Sequence, residues 1–169
     1  MIDVSKFILG ETIEPLKLES SADQRGAAVA LAAQARRSVD IFSRDLDKRI
    51  YDHRAFLDAL QNLAVNHHGQ IRILVKDSSQ AVKYGHRLIP LSQRLTSFIE
   101  IRKAAEDFTE YNEAFLIADE TGYVQRRQAD RFEGIARFNA AQEAVNLLVF
   151  FNEVWRNSAT DPDLRRIYL

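Results

Sequence analysis

Histidines, and acids placed after apolar runs, are the side chains of this sequence with reactivity to offer. The histidines are His53, His67, His68 and His86. An imidazole acts near neutral pH as a nucleophile toward phosphorus or as a general base. His53 follows the acidic turn "SRDLD" and His86 stands between Gly85 and Arg87, so either is placed to face a sheet edge. His67 and His68 lie beside Gly69 at the end of a helical pattern, where compensation of the helix dipole accounts for them. The acids are Asp45 and Asp47 after "SVDIFS", Asp77 after "QIRILVK", and Asp119 after "AFLIA". Carboxylates gathered at one edge hold magnesium for phosphoryl chemistry, which makes Asp45, Asp47 and Asp119 the candidate metal set. Aspartate in such positions also serves simply as a turn or cap residue. "DLD" has the Asp-x-Asp spacing of aspartate-nucleophile phosphatases, but no threonine follows and no lysine is placed to assist.

A basic constellation complements the acids. Arg126, Arg127 and Arg131 cluster with Tyr123, Gln125 and Gln128, and guanidinium groups match phosphate oxygens in bidentate fashion. Glu120, Asp130 and Glu133 lie among them, so a solvated, salt-bridged face is the competing reading. Other chemistries are excluded. There is no cysteine, hence no disulfide, thiolate metal site or thiol nucleophile, which fits a reducing cytoplasm. No Gly-x-Ser-x-Gly elbow and no glycine-rich phosphate loop occurs.

The 169 residues suit one domain, and 46% hydrophobic with 28% charged residues is a globular composition. A formal net charge of −1 gives no global attraction to nucleic acid or anionic membrane, so such binding needs a local patch. No apolar run is long enough to span a bilayer.

The elements that must position these residues follow from periodicity. Residues 1–21 read as an extended arm, with "FILG" and "LKLES" separated by a turn around Pro15, and residues 22–169 as a single domain. A helix opens with capping-box spacing at Ser21 and Gln24 and closes on Arg36 and Arg37. "SVDIFS" is a strand, 53–67 a helix, and "QIRILVKDSS" a strand. "AVKYGHRLIPLSQRL" is helical and is expected to split at Pro90, before the strand "SFIEIRKA". This alternation predicts right-handed crossovers and parallel strands. Afterwards "EAFLIADETGYVQRR" predicts a hairpin around Glu120-Thr121-Gly122, and "RFEGIARFN" a third strand. "AAQEAVNLLVFFNEVWRNS" predicts a long amphipathic helix, and "DPDLRRIYL" a turn and short strand. The fold class is therefore α/β, a mixed, largely parallel sheet flanked by helices on both faces.

Several phrases together, "ARRSVDIFSRDLD", "FLDALQNLAVNHHGQIRILVKD", "IEIRKA", "EAFLIADETG" and "FFNEVWRNS", resemble the phospholipase D-like superfamily over residues 22–157. The resemblance implies a catalytic segment His-x-Lys-x4-Asp, in which histidine forms a phosphohistidine and lysine binds phosphate oxygens. Aligning the aspartate with Asp119 places Asn112 at the histidine and Ala114 at the lysine. An amide cannot form that intermediate and a methyl carries no charge. The Gly-Ser that follows in the superfamily is missing as well.

The chain thus resembles degenerate single-domain bacterial members, and the expected function is a non-catalytic binding or interaction module acting as a homodimer. No cofactor and no membrane partner are expected. A phosphate or nucleotide cleft is expected from Tyr111, Asn112, His86, Arg126 and Arg127. One alternative is a phosphodiesterase or phosphatase using His53, His86 or a metal. Another is a nucleic-acid-binding protein without cleavage. Asp119 is left with the role of capping its own hairpin turn.

Overall fold

The computed structural model describes residues 2–108 and 110–165. The sheet is built from β1 (Leu16–Leu18), β2 (Ser38–Ser43), β3 (Gln70–Val75), β4 (Ile99–Lys103), β5 (Ala114–Ala118), β6 (Gly122–Arg126) and β7 (Gly134–Arg137). The helices are α1 (Ser21–Gln34), α2 (Lys48–Tyr51), α3 (Arg54–His67), α4 (Ser79–Lys83), α5 (Leu88–Arg94), α6 (Ala141–Arg156) and α7 (Pro162–Arg165). The strands form one sheet in the order β1-β7-β6-β5-β2-β3-β4. β2, β3 and β4 run parallel, as the helix–strand alternation requires, while β5, β6, β7 and β1 each pair antiparallel with their neighbour.

Helices cover both faces. α1 and α3 pack on one, over a core that includes Leu31, Ile41, Phe56, Leu60, Leu63 and Ile73. α6 covers the other, setting Phe151 over Phe42, Leu74, Phe115 and Ile117. β2 and β5 contribute to both cores, so their apolar runs are nearly continuous, as strands buried on two sides must be.

The α6 face also buries a polar group. Arg72 Nε donates to Asp40 Oδ1 at 2.7 Å and its Nη2 to Asn152 Oδ1 at 2.8 Å. Its guanidinium lies 4.9 Å from the Phe151 ring centre. Burial pushes the Asp40 carboxyl above its usual range, and Arg72 acts against that shift.

Four local features differ from the sequence reading. The box that opens α1 is one residue earlier: Ser20 Oγ accepts from Asp23 N, and Asp23 Oδ2 accepts from Ser20 N. A carboxylate suits the positive helix end better than an amide does. Gln24 instead donates its side-chain N–H to Phe132 O. α1 ends at Gln34, before Arg36 and Arg37. The break between α4 and α5 falls at Gly85, which adopts φ +65°. Pro90 sits in the first turn of α5, where its missing N–H leaves no helical bond unmade. The tail forms α7 at Pro162–Arg165 where a turn and strand were expected, and residues 166–169 lie outside the described residues.

The arm docks on its own body. Leu9 N donates to Gln34 Oε1, Gln34 Nε2 donates to Phe7 O, Gly10 N donates to Phe138 O, and β1 pairs with β7. Gly122 makes room for this, because a Cβ there would lie 2.6 Å from Leu9 Cδ1 and 3.0 Å from Leu31 Cδ2. Among the described residues no helix is long and apolar enough to cross a membrane.

Candidate functional site

The register collects Ser43, Val75, Lys103, Ala114 and Arg126 at one edge of the sheet. This is the carboxyl edge of the parallel strands, where open α/β sheets bind ligands. Asp45, Asp47 and Asp77 follow β2 and β3 there, and Asn112 precedes β5.

Asn112 is exposed, and its backbone O accepts from Ala129 N. Ala114 is 2% exposed and lies directly opposite Arg126. Lys76, at the end of β3, donates its ammonium to Tyr111 O, and its pKa is lowered by burial and then by Arg44. Tyr111 stacks against Phe150 at 4.2 Å and donates its hydroxyl to Glu113 Oε2, with Gln125 Nε2 as second donor to that carboxylate. Burial, then Glu113, pushes the Tyr111 phenol up, so it is a donor and not a base. Lys76 was missed in the sequence. It stands after the strand in "QIRILVKD", where the ladder register alone brings it to the segment before β5.

Asp119 sits at the opposite edge. Its carboxylate accepts from the backbone N–H groups of Arg36, Arg37 and Ser38, at the start of β2. Asp45 and Asp47 follow the end of that strand. The three aspartates therefore do not converge, and among the described residues no group of three or more His, Cys, Asp or Glu side chains is arranged to hold a metal. Nor does the Asp119 carboxylate cap its own hairpin. Asp119 and Glu120 are the turn's two left-handed residues, at φ 53° and 56°, and the turn closes through Thr121 N donating to Ala118 O. Ala118 pairs with Gly122, so the loop is Asp119-Glu120-Thr121, shifted one residue from the Glu120-Thr121-Gly122 expected.

The two candidate histidines serve as helix caps. His53 Nδ1 accepts from Ala55 N at the start of α3, and His86 Nδ1 accepts from Leu88 N at the start of α5. His86 is 3% exposed, and burial holds its pKa below the usual value. It borders a cavity of about 260 Å3 with Asp45, Leu46, Asp47, Lys48 and Tyr84. Asp47 is committed to Arg49, whose Nη2 approaches Oδ2 at 3.2 Å, and to the start of α2. Leu46 adopts φ 57°, unusual for a leucine, and its N–H is held by Ser43 Oγ.

The arginines separate by strand alternation. Arg126 turns into the α1 side, 3% exposed, donating to Ala129 O and Arg131 O with Asp47 Oδ2 at 3.9 Å. It is a packed structural cation. Arg127 is exposed and lines a groove of about 610 Å3 with Tyr123, Gln125, Gln128 and Arg131, joined by Arg137 of β7. So Tyr111, Asn112, His86, Arg126 and Arg127 do not share one cleft, whereas most of the basic constellation does. Arg137 was missed because only the β6–β7 pairing, Tyr123 opposite Arg137, reveals it.

Residues 20–167 match the family described as "Domain of unknown function (DUF7931)". The chain belongs to that family. No curated protein matches it. Solved structures with the DUF7931 fold include Nuc from Salmonella typhimurium, a phospholipase D family member. It has a TM-score of 0.62 and 14% identity, over 86% of this chain and 97% of Nuc. NucT from Helicobacter pylori is similar at 0.60 and 11%, over 89% of this chain and all of NucT. TrmBL2, an archaeal chromatin protein whose structure is described as showing a novel mode of DNA binding, aligns at 0.67 and 11%. It is longer: 94% of this chain spans 57% of TrmBL2. The DUF7931 chain therefore has a phospholipase D-like fold.

Proposed function

We propose that the protein is a non-catalytic phospholipase D-like domain that works as a binding or interaction module. One observation carries this: Asn112 and Ala114 stand where the superfamily motif has its histidine and lysine. Among the described residues, three features argue against a replacement for the pair. Ala114 is buried, the Nδ1 lone pairs of His53 and His86 are taken by helix starts, and Asp119 lies at the far edge. Without a nucleophile positioned on phosphorus, the edge can bind or assemble but has no means to form a covalent phosphoryl-enzyme.

Residues 22–169 act in this reading as one domain with the 1–21 arm attached, and the domain pairs with a second copy. Single-domain members resemble half of a two-lobed enzyme, and a two-fold pair is the commonest closed assembly. A solution mass by light scattering tests the pairing, and a monomeric mass would refute it. The catalytic question is settled with bis(p-nitrophenyl) phosphate. Purified protein is expected to give no turnover above buffer. Turnover that co-elutes with the protein and is lost in His53→Ala or His86→Ala would establish the enzyme instead.

A further inference from the structure

We infer that the groove lined by Arg127, Arg131 and Arg137 is a binding surface for the phosphodiester backbone of a nucleic-acid strand. It lies on the α6 side of β6 and β7, and α6 meets β7 there through the Arg137–Glu143 ion pair. Tyr123 and Ile135 form the floor, and Gln128 adds an amide donor.

The groove gathers two arginines for which, among the described residues, no ion pair is formed, a state they share with Arg36, Arg37, Arg94 and Arg156 elsewhere on the surface. Arg44, Arg49, Arg54, Arg72, Arg87, Arg102 and Arg126 each have a carboxylate partner. Among the described residues, the exposed side chains of Arg127 and Arg131 have none. Arg137 pairs with Glu143 at 3.2 Å, yet its Nε is buried without an acceptor. Glu133 is the lone acid in the lining. The three guanidinium groups outnumber the two acids beside them, Glu133 and Glu143, and an anion laid along the groove offsets the excess positive charge.

The shape and charge select the anion. The groove is open and bordered by charged side chains, unlike the enclosed apolar chambers that hold small metabolites. Tyr123 is 5% exposed, so no ring is offered for base stacking and contact is confined to the backbone. A chain of net charge −1 draws a polyanion only through a local patch, and a nucleic acid presents one charge per ~1.7 Å of duplex. The inference goes beyond the non-catalytic reading, because the groove serves a domain with or without turnover and binding is measured separately from hydrolysis.

The test is fluorescence anisotropy of the whole protein with labelled oligonucleotides of about 20 nucleotides, longer than a single-domain site. Single-stranded DNA, RNA and duplex DNA are the three arms. Binding of at least one is expected to weaken about 10- to 40-fold between about 50 and 200 mM salt, as two or three phosphate contacts dictate. Arg127→Ala/Arg131→Ala is expected to weaken it about tenfold and flatten the salt slope by about 2. Both side chains are exposed, so an unchanged thermal melt verifies folding. Arg54→Ala/Arg94→Ala, on α3 and α5, is the control and is expected to leave binding unchanged. No binding in any arm, binding indifferent to the groove variant, or equal competition by poly-glutamate at matched charge would each overturn the proposal.

Discussion

Asp119 and Arg37 are tied twice: the Asp119 carboxylate accepts from Arg37 N at 2.8 Å, and Arg37 Nη2 donates to the Asp119 backbone O, also at 2.8 Å. With Arg36 N and Ser38 N on the same carboxylate, the β5–β6 hairpin fastens the link from α1 into β2. This is a structural use of the last residue in the motif-like segment.

Removing that carboxylate leaves up to three backbone donors short of a charged acceptor. Asp119→Gly, which keeps the left-handed φ accessible, is expected to destabilise by about 2–4 kcal/mol. Asp119→Ala adds about 1–2 kcal/mol, because alanine resists φ 53°. Urea unfolding of the two variants separates the effects. Wild-type stability in Asp119→Gly would show that the tie contributes nothing.

The pair beneath α6 makes a second prediction. Arg72→Met leaves the buried Asp40 carboxylate unpaired and is expected to cost about 3–5 kcal/mol at neutral pH. Asp40→Leu/Arg72→Met should recover most of that loss. Burial already raises the Asp40 pKa, so the folded state favours its protonated form. The loss in Arg72→Met therefore shrinks as pH falls toward the ordinary carboxylate range and grows as pH rises. Thermal melts across pH check the sign.

The strands, the hairpin and the α6 stripe were legible because period 2 and period 3.6 are properties of neighbouring residues. What the sequence hid was partnership over distance. The spacing from Asn112 to Asp119 located the strand but not the Arg36–Ser38 link that Asp119 serves. A proline reads as a breaker unless the helix start is known, and Pro90 falls in a first turn after Gly85 has made the break. The arginine cluster was visible as composition. Sorting buried Arg126 from exposed Arg127 needed the alternation of β6, and Arg137 needed the β6–β7 register.

His86 gives the protein an acid-side sensitivity. Burial, the largest effect, depresses its pKa, with Lys48 and Arg87 adding to it and Asp52 and the Leu46 backbone opposing. A base with a depressed folded pKa stabilises the fold fully above its unfolded value of 6.5, and the contribution is lost as pH falls through the folded pKa. Stability is expected to decline below that value by up to about 1.4 kcal/mol per pH unit for one proton. His86→Gln is expected to be less stable at pH 8 and to show a shallower decline. Parallel pH profiles for the two proteins would assign the titration elsewhere.

Restoring the motif letters should not restore an active site. Asn112→His alone replaces an exposed side chain and is expected to change stability by less than about 0.5 kcal/mol. Ala114→Lys is different, because position 114 is 2% exposed and faces the buried Arg126 across the β5–β6 pair. A second cation there is buried beside a like charge, with Asp47 already shared between Arg126 and Arg49. Asn112→His/Ala114→Lys is therefore expected to lose about 3 kcal/mol or more and to leave a phosphodiester reporter uncleaved. Adding Arg126→Gly should regain part of the stability, since it removes the opposing charge. A double variant that melts with the wild type and turns over the reporter would mean that the edge still has the shape of a working site, with only its two reacting side chains missing.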